Sequence, residues 1–355
     1  MAPYLCGCRR AERRQRSPLR LPRTASFLSL SRTDARFLCA QDAVSGDYDP
    51  MLVRWSDIGD YTDWTPTTAN QAGSFRLSNG SLTTAALSLF GQNLIWTDTC
   101  VYSMQYIQFP LVWGFQPLGL NVGAVGPHSV GVLGANVFWC GPNQFFMMVG
   151  GSAPQQIECP VWDKVFEKID KSRFNEIVCE TDTFYGEVGW MVPQSDGGRI
   201  TARLNVASGA WTCSDYHPST AWIDQNLFGA PIDGHVDGTV DQHDIGYDAN
   251  GAAAPWSLTS GIMMISEGDQ ITFVRDLIPD FETEGTDPTI TWTLAFYDYP
   301  NKPPRVVSRA TNQSTQEIHP RGRGMGVQIR LSGSDRGTFW RLGNLRMRGH
   351  PDGRR

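Results

Sequence analysis

From residue 46 onward the chain is a succession of short apolar runs separated by turn residues. Leu52-Val53-Arg54-Trp55 runs into Ser56-Asp57-Ile58-Gly59-Asp60, whose short carboxylates and glycine favour a turn. Leu82–Phe90 reaches Gly91-Gln92-Asn93, and Leu94-Ile95-Trp96 resumes the apolar pattern. Thr99–Tyr106 alternates, with Val101, Ser103 and Gln105 on one face and Tyr102, Met104 and Tyr106 on the other. Ser129–Leu133 and Val137–Cys140 flank Gly134-Ala135-Asn136 as a hairpin, and Phe145–Val149 continues the meander. Glu176–Asp182, Gly186–Val192, Ile200–Val206 and Trp211–Tyr216 read as further strands.

One segment breaks the period of two. Pro160 suits the first position of a helix over 160–170, with Val161, Val165, Phe166 and Ile169 on one face. Strand–turn–strand units at ~40–45-residue spacing over 46–225 fit propeller blades, although the units are not self-similar and leave room for about four. Residues 226–355 form a second β region, with runs at Gly238–Ile245, Ser257–Ile265, Asp269–Leu277 and Thr289–Tyr297. Met325, Val327, Ile329 and Leu331 alternate up to the turn 332–337, and Thr338–Met347 is expected to return as a C-terminal hairpin. The expectation is an all-β chain, a partial β-propeller of antiparallel blades with one short helix, followed by a smaller sandwich-like domain.

Composition agrees with many short elements: 36 Gly, 22 Pro and 12 Trp in 355 residues. Charge then divides the chain in three. Residues 1–45 carry nine Arg and three acids, which reads as a disordered basic arm or an extension foreign to the fold. Residues 302–355 hold twelve basic and three acidic residues, and the intervening 46–301 carries a balance of −21. The Arg-rich start leaves no continuous apolar core for a secretory signal. Residues 99–157 contain no charged side chain, but Gln, Asn and Pro interrupt them before a membrane span could form, so they read as buried β-structure. Eight scattered cysteines without a CxxC pair read as reduced, mostly buried thiols.

No phosphate-loop, HExxH or GxSxG motif occurs. Asp233, His235, Asp237, Asp241, His243, Asp244 and Asp248 crowd together, and His235, Asp237, Asp241 and His243 have ligand chemistry suited to zinc or manganese. The plainer reading of that segment is a turn-rich acidic hairpin. Asp248-x-Asn250-Gly251 resembles part of a calcium loop, but Gly246 and Ser257 stand where ligands belong. Ser56–Trp64 resembles, imperfectly, the Asp-box turn of sialidase-like propellers. With the Trp content, that makes a glycan-binding or glycan-hydrolysing propeller the alternative reading. In the basic C-terminal region, Arg330, Arg341, Arg346 and Arg348 are candidates for contact with DNA phosphates or with carboxylates of a neighbouring subunit.

Four separated segments carry a family resemblance. They are Val53–Trp64, Ile157–Phe166, Leu204–Trp211 with Thr220–Asp224, and Phe339–Gly343 with Arg348–Arg355. Together they resemble the tail nozzle, or packaged-DNA stabilisation, proteins of short-tailed, podovirus-like bacteriophages, over about 48–355. Residues 1–45 match nothing in that family. The resemblance implies a non-enzymatic virion protein assembled in the host cytoplasm, without cofactor or membrane insertion. It further implies a hexameric ring below the tail adaptor, in contact with tail fibres or spikes, that closes the tail tube and retains packaged DNA.

Overall fold

The computed structural model describes residues 28–30, 36–41, 46–89, 91–108, 111–215, 219–224, 229–265, 270–299 and 301–354. It divides the chain into two compact units, up to Asp244 and from Ile245. Sequence pattern placed the division near 225, so the hairpin at 232–242 sits with the first unit.

The first unit is a row of four four-stranded antiparallel sheets, each a meander in chain order. Sheet one is β1 (Leu28–Leu30), β2 (Arg36–Gln41), β3 (Tyr48–Trp55) and β4 (Gly73–Arg76); sheet two is β5 (Thr83–Leu89), β6 (Gln92–Thr97), β7 (Cys100–Gln108) and β8 (Val112–Leu120). Sheet three is β9 (Val130–Leu133), β10 (Asn136–Cys140), β11 (Phe145–Val149) and β12 (Gln155–Ile157); sheet four is β13 (Val178–Asp182), β14 (Glu187–Pro193), β15 (Arg199–Asn205) and β16 (Trp211–Ser214). A three-stranded sheet follows, with β17 (Ser219–Ile223), β18 (Ile232–His235) and β19 (Val240–Gln242). First strands lie beside one another: β1 by β5, β9 by β13, β13 by β17. That is blade geometry, and the unit is a partial propeller.

Period-two alternation explains the stacking, because each middle strand sends opposite faces into two different cores. On β6, Ile95 packs with Val53 and Trp55 of sheet one, while Leu94 and Trp96 pack with Val137 and Trp139 of sheet three. On β10, Phe138 and Cys140 turn the other way and pack with Val188 and Trp190 of sheet four. Aromatic rings fill the seams: Trp96 meets Trp139 edge-on at 5.6 Å, and Phe145 stacks on Trp190 at 4.1 Å. Gly131 of β9 lies so close to β13 that a Cβ there would stand 2.5 Å from the Cys179 sulfur. The uncharged stretch is thereby accounted for as strands β7 to β12, and no described helix is long and apolar enough to cross a membrane.

Three expectations need correction. The basic arm is not wholly foreign to the fold, since β2 pairs with β3 and β1 with β2, giving the first blade half its strands. The rest of the arm, 1–27, 31–35 and 42–45, lies outside the described residues. The helix expected over 160–170 is a single turn, α1 (Trp162–Val165), followed by a 3₁₀ turn at Lys171–Glu176. Val161 gives no side-chain cap, and Ile169 forms a bridge with Gln194 instead of continuing the helix. Val165, Phe166 and Ile169 are nonetheless buried between sheets three and four, so the periodicity reported burial correctly.

The second unit contains β20 (Trp256–Thr259), β21 (Met263–Met264), β22 (Gln270–Ile278), β23 (Phe281–Gly285) and β24 (Ile290–Tyr297). It continues with β25 (Arg305–Thr311), β26 (Gly322–Gly324), β27 (Gly326–Gly333), β28 (Thr338–Leu342) and β29 (Arg346–Arg354). The main sheet runs β20-β27-β24-β25, and a smaller one runs β26-β22-β29. Trp292, Leu294 and Phe296 of β24 and Val327, Ile329 and Leu331 of β27 face Val274 and Leu277 of β22, making a sandwich-like core. The third correction falls here: β27 and β28 do not form the expected hairpin. Both edges of β27 are taken, by β24 on one side and by β20 and β21 on the other, so β28 pairs with β23 and β29 with β22.

Candidate functional site

The sequence cluster around residues 233–244 becomes a compact site on the three-stranded sheet. Asp233 and His235 point to the same side of β18, and Asp241 lies directly across from Asp233 on β19. A turn closed by the Gly238 N–H on the His235 carbonyl sets that register, with Gly238 at φ +85° where a side chain would strain the backbone. Asp237 is spent on the turn: its carboxylate accepts the Thr239 N–H at 3.0 Å and the Thr239 hydroxyl at 2.7 Å. It therefore leaves the set of expected ligands. His243 is held by its N–H on the Pro231 carbonyl at 2.8 Å and by the Trp222 ring, 4.7 Å from its own.

His235, Asp241 and His243 thus gather around Asp233, which the sequence reading placed in the same crowd but not among the four ligands it singled out. His235 Nε2 lies 3.2 Å from both Asp233 Oδ1 and Asp241 Oδ2, and His243 Nε2 lies 3.1 Å from the same Asp233 oxygen. The other Asp233 oxygen accepts the Ser219 hydroxyl at 2.7 Å. Burial raises the Asp233 carboxyl, but hydrogen bonds from His243 and Ser219 and the nearby imidazoles outweigh it and hold the group at about 2. Asp233 was legible in principle, because it stands two residues before His235 with the same side-chain direction.

The site backs onto blade four. The Trp222 indole N–H donates to the Thr181 carbonyl at 2.6 Å. Glu180, almost wholly buried on β13, pairs with Arg203 at 3.1 Å, and burial pushes its carboxyl above the ordinary range. Asp244 rises to about 6 through burial and its contact with Asp182.

The arginine candidates scatter over separate strands. Arg330 lies exposed on β27, Arg341 sits on β28 opposite Glu282 and over the Phe339 ring, and Arg346 and Arg348 share β29. Arg348 pairs with Glu317 at 3.0 Å. Only the last two share a strand, because β27, β28 and β29 join three different sheets.

A second feature lies between blades one and two. A cavity of about 550 Å³ is lined by Trp55, Phe75, Trp113 and Phe115 with Asn70 and Gln71, and no carboxylate borders it among the described residues. Phe75 and Phe115 stack at 4.4 Å. The Trp113 indole nitrogen and the Gln71 side-chain oxygen are buried without hydrogen-bond partners among the described residues. Sequence pattern gave no sign of this cavity, because Gln71 and Trp113 meet only through the pairing of distant strands.

No protein-family model and no curated protein matches the chain. Among solved structures it is similar to a candidate 6-phosphogluconolactonase of Bacteroides uniformis, at 10% identity and TM-score 0.33, over 61% of this chain and 80% of that one. A protein titled glycoside hydrolase aligns at 10% identity and TM-score 0.30, over 92% and 98% of the two chains. The N-terminal domain of Nup159 aligns at 9% and 0.31, over 89% and 90%. Likeness at this level does not extend to the residues of any site.

Proposed function

We propose that the chain is a structural subunit of a short phage tail, assembling into a ring that closes the tail tube and retains packaged DNA. The observation that carries this reading is the open row of blades. Buried apolar clusters join blade one to two, two to three and three to four, and β17 continues the row beside β13. Among the described residues no comparable cluster joins the last sheet back to the first. A blade row that does not close on itself leaves ends that another copy can cover, which suits a head-to-tail ring. The acidic stretch 46–301 favours passage of DNA over its retention by contact, since like charge repels the phosphate backbone. Light scattering and negative-stain electron microscopy of the purified full chain test the reading. Rings of six copies are expected, and a monomer at all concentrations with no ring in the images would overturn it.

A second reading, glycan binding, is favoured by the aromatic cavity. Stacked aromatic rings beside amide side chains are the complement of a sugar face and its hydroxyls. Signal on a glycan array that is lost in Phe75→Ala, which removes one of the stacked rings, is the result that would favour it.

A further inference from the structure

We propose that Asp233, His235 and Asp241 bind one zinc-type divalent metal ion, a site that stands independently of the phage reading. Three distances carry the argument. Imidazole nitrogen and carboxylate oxygen lie 3.2 Å apart for His235 and Asp233, 3.2 Å for His235 and Asp241, and 3.1 Å for His243 and Asp233. In a tetrahedral zinc site with bonds of about 2.0–2.1 Å, neighbouring ligand atoms stand about 3.3 Å apart. The two edges that meet at His235 Nε2 already have that length, while His243 touches Asp233 from outside the set of atoms that all lie within 4.8 Å of one another.

The proton count points the same way. A neutral imidazole offers at most one hydrogen at Nε2, yet His235 Nε2 faces one oxygen from each of two carboxylates at equal distance. The ligand atoms of Asp233, His235 and Asp241 all lie within 4.8 Å of one another, so a cation among them would answer both anions at once. An imidazole nitrogen beside two carboxylates favours zinc over magnesium or calcium, whose sites are built from oxygen.

The surroundings have the form of an outer shell. Asp233 presents one oxygen to the two imidazoles, and its other oxygen is held by the Ser219 hydroxyl at 2.7 Å, which fixes the carboxylate's orientation. The ring of Trp222 packs on His243. In a similar trio, Asp276, Glu317 and His319, the two carboxylates pair with the guanidinium groups of Arg275 and Arg348. The ion would fasten β18 to β19. It would act as a staple on the sheet that ends the blade row.

The test uses the full chain, stripped with a chelator and titrated with zinc in competition with a coloured indicator, then with cobalt(II) in a parallel sample. One equivalent of zinc, a rise in Tm on binding, and the intense visible bands of tetrahedral cobalt are expected. Ser219→Ala should weaken binding by roughly tenfold or more, through loss of the outer-shell bond. Double substitution of His235→Ala and Asp241→Asn should abolish it, whereas Asp237→Asn in the same hairpin and His319→Ala should leave it unchanged. Undiminished binding by the folded double variant would overturn the site, as would weak octahedral cobalt bands or no stoichiometric uptake by the unsubstituted chain. Because the cobalt spectrum needs no variant, the proposal stays testable if the double variant fails to fold.

Discussion

Single residues in this chain are constrained more by neighbouring backbone than by solvent. Gly123 is the sharpest case: a Cβ there would sit 2.2 Å from the Asp98 carbonyl carbon and oxygen, and backbone cannot swing aside as a side chain can. Gly123→Ala should therefore destabilise by about 1–3 kcal/mol, read as a lower urea midpoint with unchanged slope. The thiols give a second residue-level expectation. Burial raises Cys100, Cys140 and Cys179, all shielded in the blades, whereas Cys213 is exposed. Among the described thiols, peptide mapping after brief alkylation should find Cys213 modified first and those three only on unfolding. Asp276 supplies the pH dependence. Hydrogen bonds from His319 and Arg275 hold its carboxyl below the ordinary value of 3.8 in the folded chain. The unfolded chain then binds the proton more readily, so this stabilisation is present above the unfolded value and is lost as pH falls through the folded one. Asp276→Asn should flatten that acid limb in urea titrations across pH, with little change in its slope above it.

At the scale of elements, the seams between blades hold the first unit together. Trp190 shows how: it stacks on Phe145 from the neighbouring blade, and its indole donates to the Ser129 carbonyl at 3.1 Å. Trp190→Ala should cost about 3–5 kcal/mol and loosen blades three and four together, which hydrogen exchange would report as joint loss of protection in β10 and β14. This scale is also where sequence was most informative. Alternation at Thr99–Tyr106 put Tyr102 and Met104 on one face and Val101 on the other, and the structure places the first two in one core and Val101 in another. Pattern failed where partners are distant. Nothing local to Met325–Met347 reveals that β27 is already flanked by β24 and β20, so the nearest following strand looked like its partner. The same limit left Asp233 undistinguished within its acidic crowd, since its role depends on pairing with β19 and contact with Ser219, and it hid β1 and β2, whose arginine-rich surroundings masked two short apolar runs.

At the scale of the molecule, charge and blade order bear on assembly. For the ring proposed above, the acidic balance over 46–301 and the basic balance over 302–355 suit contacts between copies, so that assembly should weaken as salt rises, and sedimentation at increasing ionic strength would show it. Tyr48–Trp55 has a further consequence for making the protein. Its Val53, Arg54 and Trp55 pair with Cys39, Leu38 and Phe37, inside a segment that composition alone would mark for removal. A shortened chain starting at Met51 would strip that partner and leave a row of unsatisfied N–H and C=O groups along a strand flanked by apolar side chains. Such an edge recruits other chains indiscriminately. The shortened version should accumulate as insoluble aggregate on expression while the full chain stays soluble, because β2 covers the edge of β3.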